Sequence, residues 1–74
     1  MREWLINLRN IKGFTQKEVS AMCGISRSFY ADIEQGTRNP KPLTAQDIGK
    51  VLGFDWTLFF ERNGRDSRQS KKSA

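Results

Sequence analysis

Seventy-four residues allow one domain at most, and a chain this short buries only about 60% of its unfolded surface, which leaves no room for a large internal catalytic cavity. Histidine is absent and Cys23 stands alone, so an intrachain disulfide, a cysteine-rich metal site and histidine-based acid–base or nucleophilic catalysis all lack their parts; no cofactor or metal is expected, and a reducing, cytoplasmic location fits. The net charge of +5 is unevenly spread, with +4 in residues 62–74 and +1 in residues 1–61, so overall basicity alone is weak support for a polyanionic partner.

Glycine and proline at 13, 24, 36, 40, 42, 53 and 64 divide the chain into pieces with helical spacing. Five short helices are predicted, forming an all-α domain over residues 1–61. In the first, Trp4, Leu5, Leu8 and Ile11 make an apolar stripe that stops before Gly13 and leaves Ile6 on the far side. The second opens with Thr15 and Glu18, a capping box, and buries Val19 and Cys23 before Gly24. Ser26 is a favoured N-cap for the third, which ends at Gly36. After the NPKP stretch at 39–42, Thr44 and Asp47 repeat the capping signature, and Ile48, Val51 and Leu52 give a fourth helix ending at Gly53. Asp55 can cap a fifth, whose bulk is Trp56, Phe59 and Phe60. From Arg62 onward RNGRDSRQSKKSA has no apolar residue except the terminal alanine, so residues 62–74 are expected to be a disordered basic tail.

No stretch approaches the roughly 18 apolar residues of a membrane span. Asn7, Arg9, Asn10 and Lys12 also interrupt any signal-peptide core, so a soluble chain with no membrane association is expected.

The third segment, GISRSFYADIEQG, carries the most information. At 100° per residue, Phe29, Tyr30 and Ile33 share one arc that must face the core. The opposite arc holds Arg27, Ser28, Ala31, Asp32 and Gln35, without the long Glu/Lys pairs of an ordinary solvated helix. Small residues let a helix approach another surface closely. An arginine fork matches guanine O6 and N7, glutamine pairs with adenine, and aspartate can accept from cytosine N4. Two helices joined across Gly24-Ile25, one capped by Thr15 and the other by Ser26, form a helix-turn-helix arrangement in which the second helix enters the major groove. Gln16 lies at the N-terminus of the earlier helix, where free N–H groups attract phosphate.

The run FTQKEVSAMCGISRSFYADIEQGTRNP, followed by IGKVLGFDW, resembles the Cro/phage-repressor-like (XRE) helix-turn-helix family over roughly residues 4–60, through its Thr-Gln, Gly-Ile-Ser and Ile-Glu-x-Gly spacing. The resemblance implies a five-helix, lambda-repressor-like DNA-binding domain that acts as a dimer on a palindromic operator, repressing or activating transcription. It implies base-edge contacts from Arg27, Ser28 and Asp32, with Ala31 between them. It further implies contacts to the DNA backbone from Thr15, Gln16, Ser26, Thr37 and Arg38, and a partly buried ion pair between Arg9 and Glu34. Ser20 and Gly49 depart from the family by standing where a tightly packed alanine is usual, which suggests looser packing between helices. Phe29 borders the outward arc, and packing at the core or its rim is favoured over contact with a thymine methyl.

Ile6, Met22 and Leu58 fall outside the core stripes. Leu58 and Phe60 on the last helix are therefore expected to form a two-fold dimer interface. The leading reading is a sequence-specific double-stranded DNA-binding regulator, a repressor, with no small-molecule ligand evident. A second reading is an antitoxin-type protein or the detached DNA-binding head of a larger regulator, acting through a protein partner. An enzyme is the weakest, because Asp32, Glu34, Asp47 and Ser28 have no accompanying base or cleft.

Overall fold

The helix boundaries follow from local chemistry. In a computed structural model that describes residues 1–61, four α-helices and one 3-10 helix follow one another along the chain. The helices are α1 (Glu3–Lys12), α2 (Gln16–Cys23), α3 (Arg27–Gln35) and α4 (Pro42–Leu52), followed by the 3-10 helix Trp56–Phe60. The expected disordered tail at 62–74 lies outside the described residues, and no described helix is long and apolar enough to cross a membrane.

Thr15 Oγ1 accepts from the Glu18 N–H at 3.0 Å while the Glu18 carboxylate accepts from the Thr15 N–H at 2.8 Å, so the capping box of α2 is complete. Ser26 Oγ caps α3 by accepting from the Phe29 N–H at 3.0 Å. Gly24 and Gly36 end α2 and α3 in the left-handed region, at φ 69° and 85°, where a side chain would be strained.

Three expectations need correction. First, α4 starts at Pro42, with Lys41 in the N-cap position and no side-chain cap, so Thr44 and Asp47 do not form the predicted capping pair. A proline is pre-set for the first helical turn, and the N–H it lacks is one that has no partner within the helix, so the helix begins one turn earlier. Second, the fifth helix is a 3-10 turn. Asp55 Oδ1 accepts from the Thr57 N–H at 3.0 Å and from its hydroxyl at 2.8 Å, a tight local turn that favours 3-10 winding over a long α-helix. Third, Ile11 is 79% exposed: it lies in the last turn of α1, whose buried residue is Leu5 near the other end.

The core consists of Leu5, Val19, Cys23, Tyr30, Ile33, Ala45, Ile48, Leu52 and Phe59, drawn from every helix. Trp4, Phe54 and Phe59 form an edge-to-face cluster with centroids 5.2–5.5 Å apart, which docks the 3-10 helix on α1. Phe29 packs partly buried against the core, at its rim.

The packing around the two departures is tight, not loose. Ser20 is buried and its hydroxyl donates to the Lys17 carbonyl at 2.9 Å. A Cβ at Gly49 would lie 2.8 Å from the Phe54 carbonyl oxygen and 3.3 Å from Trp56 Cβ. The missing side chain is what lets the chain after α4 fold back closely, with the Gly49 carbonyl accepting from the Gly53 and Phe54 N–H groups.

Candidate nucleic-acid interface

The helix-turn-helix rests on one buried polar cluster. Arg9 on α1 donates through Nε to Glu34 Oε2 at 2.7 Å, through Nη2 to Glu34 Oε1 at 3.3 Å, and through Nη1 to the Phe14 carbonyl at 3.0 Å. Gln16 at the start of α2 donates to Glu34 Oε1 at 2.9 Å. Glu34, only 1% exposed, thereby joins three helices, with the Arg9 side chain 14% exposed. Burial pushes the Glu34 carboxyl up, but the hydrogen bonds from Arg9 and Gln16 and the nearby Tyr30 hydroxyl outweigh it and hold it below its ordinary value. The hydrogen bond to Glu34 in turn raises Arg9.

Burial, followed by the neighbouring Glu34 charge, pushes the Tyr30 phenol upward. Its hydroxyl lies against this carboxylate without reaching hydrogen-bond geometry to a described group, so their contact is electrostatic.

This cluster anchors the inner side of α3 and leaves its outer side free. Arg27 and Ser28 are exposed and make no side-chain hydrogen bond or ion pair among the described residues; Ala31 and Asp32 are half-buried beside them. Arg38 reaches back with Nε 3.5 Å from Asp32 Oδ2, and its guanidinium lies 5.9 Å from the Phe29 ring centroid. The Asp32 carbonyl accepts from the Gly36, Thr37 and Arg38 N–H groups and from Thr37 Oγ1. Asp32, Thr37 and Arg38 therefore form one structured corner at the C-terminal end of α3. Ser26 and Thr15 use their hydroxyl oxygens as cap acceptors.

A shallow depression brings Thr15, Gln16 and Arg27 together with Asn10 and Lys17. Lys17 was missed by sequence reading, although a signal existed: a cation in the first turn of a helix faces the positive end of the dipole and needs a reason to be there. Leu58 and Phe60 lie apart from this surface, 36% and 49% exposed, in a groove with Met1, Arg2 and Trp4.

A helix capped at both ends, held from behind by a buried ion pair and preceded by a glycine turn is the helix-turn-helix unit, and residues 5–59 match the family described as helix-turn-helix. The chain belongs to the Cro/C1-type (XRE) helix-turn-helix family of DNA-binding proteins. It is not an enzyme. Among relatives of this helix-turn-helix protein is the Bacillus subtilis (strain 168) protein YqaF, an uncharacterized HTH-type transcriptional regulator. The two are 45% identical over 74 residues, all of this chain and 97% of the relative. The HTH-type regulator y4dJ of Sinorhizobium fredii (strain NBRC 101917 / NGR234) is 41% identical over 46 residues, 62% of this chain and 60% of that protein. YazB of Bacillus subtilis (strain 168), another HTH-type regulator, is 39% identical over 46 residues, 62% of this chain and 67% of that protein. No solved structure matches the chain significantly.

Proposed function

We propose that this helix-turn-helix protein is a sequence-specific transcriptional repressor that reads the major groove of double-stranded DNA with α3 and its N-cap, residues 26–35. The observation that carries the reading is the outer face of α3: Arg27 and Ser28 are exposed and unpartnered among the described residues, on a helix whose inner face is fixed by Arg9, Glu34 and Gln16. In this reading Arg27, Ser28, Ala31 and Asp32 meet base edges. Arg27 donates bidentately to guanine, and Asp32 accepts from a cytosine amino group and repels mismatched sites.

Gln16, with its second amide hydrogen still available, contacts phosphate together with Thr15 and Lys17 at the N-terminus of α2. Ser26, Thr37 and Arg38 hold the adjoining backbone. The transcriptional role is supported by YqaF, an uncharacterized HTH-type transcriptional regulator that matches the whole chain.

The exposed apolar pair Leu58 and Phe60 supplies a two-fold interface in a homodimer on a palindromic operator. Selection of bound duplexes from a random pool tests the whole reading. The expected result is a symmetric pair of half-sites about 10 base pairs apart, one helical turn. A bound pool with no enriched sequence would overturn it, and a monomer on the selected duplex in sedimentation would remove the dimer.

A further inference from the structure

Arg2 precedes the stretch that matches the family, yet it ties the last turn of α3 to the segment that leaves it. Its backbone N–H donates to the Glu34 carbonyl at 2.7 Å. Its guanidinium donates to the carbonyls of Ile33 and Arg38 and to Asn39 Oδ1, and lies over the ring of Phe59 with Cζ 5.5 Å from the centroid. One side chain thus satisfies a carbonyl in the last turn of α3, where the dipole favours a cation, and fixes the segment that leaves the helix. A planar guanidinium can hold acceptors in two directions at once, whereas a lysine ammonium is a point charge without that fork.

Residues 37 and 38 are consequently clamped from two sides. On the outer side their N–H groups and the Thr37 hydroxyl bond to the Asp32 carbonyl, and Arg38 Nε faces the Asp32 carboxylate. On the inner side Arg2 holds the Arg38 carbonyl and its neighbour Asn39. Because the Arg2 guanidinium is engaged by protein acceptors and by Phe59, it is poorly placed to serve as a basic arm on phosphate.

We infer that Arg2 is a positioning residue for DNA recognition: without touching DNA, it sets the placement of Thr37 and Arg38 relative to α3 and so sharpens discrimination between sites. This rests on the proposed reading of DNA by α3. A point charge in place of the fork would leave the segment free to shift while α3 itself stays anchored through Glu34.

The test uses the full chain with Arg2→Lys, which keeps the charge. Binding to the duplex selected by the unaltered protein and to a scrambled duplex is measured across a salt series. Arg2→Lys is expected to bind the selected duplex about tenfold more weakly. Its affinity for the scrambled duplex and its salt slope should be unchanged, with the fold monitored by circular dichroism. In an Arg38→Ala background the same substitution should have little further effect, because Arg2 acts through that segment.

Asn39→Ala, which removes one acceptor of the fork, should produce the same pattern at smaller size, and carries the test should Arg2→Lys unfold. An unchanged ratio of selected to scrambled affinity would overturn the inference, as would additive effects of Arg2→Lys and Arg38→Ala. So would a salt slope reduced by about one unit on the charge-removing change Arg2→Gln in the Arg38→Ala background, the mark of a direct phosphate contact by Arg2. Failure of the unaltered protein itself to discriminate the two duplexes would instead overturn the proposed function and this inference with it.

Discussion

Replacing Glu34 by Gln should be among the most damaging conservative changes in this protein. The carboxylate accepts from Arg9 Nε at 2.7 Å, Gln16 Nε2 at 2.9 Å and Arg9 Nη2 at 3.3 Å. A glutamine amide must turn its NH2 toward at least one of these donors, and Arg9 keeps its charge in a site where its side chain is 14% exposed. Removing one partner of a buried pair costs about 3–5 kcal/mol, and the Phe14 carbonyl left to Arg9 argues for the lower end. A folded region of this size has only about 3–9 kcal/mol in all, so the urea midpoint, followed through Trp4 and Trp56 fluorescence, should fall by at least about a third. Arg9→Met combined with Glu34→Met should recover much of the loss, because no charge is then stranded.

The pH dependence follows from the same carboxyl. Its folded-state pKa is held below the ordinary 4.5, so its contribution is present above that value and is lost as pH falls through the folded value. The backbone N–H and hydroxyl of Thr57 also lower Asp55, which acts in the same direction but is common to both proteins. The difference between wild type and Glu34→Gln should therefore shrink below about pH 4.5. A cost under about 1 kcal/mol for Glu34→Gln, or a double variant as unstable as the two single losses added, would refute this account of the cluster.

Tyr30→Phe should leave stability unchanged within about 1 kcal/mol or raise it, because the buried hydroxyl makes no hydrogen bond to a described group; a loss of about 2 kcal/mol in urea unfolding would mean that the hydroxyl is bonded after all. Gly49→Ala should destabilise despite its better helix propensity of about 1 kcal/mol, since its Cβ would meet the Phe54 carbonyl oxygen at 2.8 Å; a raised melting temperature would contradict that contact. Burial, followed by the charge of Asp47, pushes the Cys23 thiol up to about 11. Alkylation by iodoacetamide at pH 8 should therefore be slower than for a free cysteine by roughly two orders of magnitude, accelerating only on unfolding. Modification at the rate of an exposed thiol would place Cys23 outside the core.

Much of this architecture is local and was therefore legible in the sequence. Thr15, Glu18, Ser26, Gly24 and Gly36 act within four residues of the helix ends they define, and their chemistry survives without tertiary context. Thr44 and Asp47 misled because Pro42 supplied an equally local but stronger start. Ile11 fitted the 3.6-residue period, yet periodicity cannot tell where the core stops beneath a helix.

The corner around Arg38 and the grip of Arg2 join residues as many as 37 apart in the chain and have no short-range signature. Gly49 could be seen as a departure, but its reason is a close approach that only the folded chain contains. The outward arc of α3 was visible as a pattern. That Asp32 shares its carboxylate with Arg38 was not.

The claim that α3 reads DNA is tested most directly by measuring the affinity of wild type and Arg27→Ala for the selected duplex and for each of its single-base variants. The account predicts a loss of about 1–3 kcal/mol for Arg27→Ala on the selected duplex, together with loss of discrimination at one base-pair position per half-site. An equal loss on every duplex, with all base preferences intact, would contradict it.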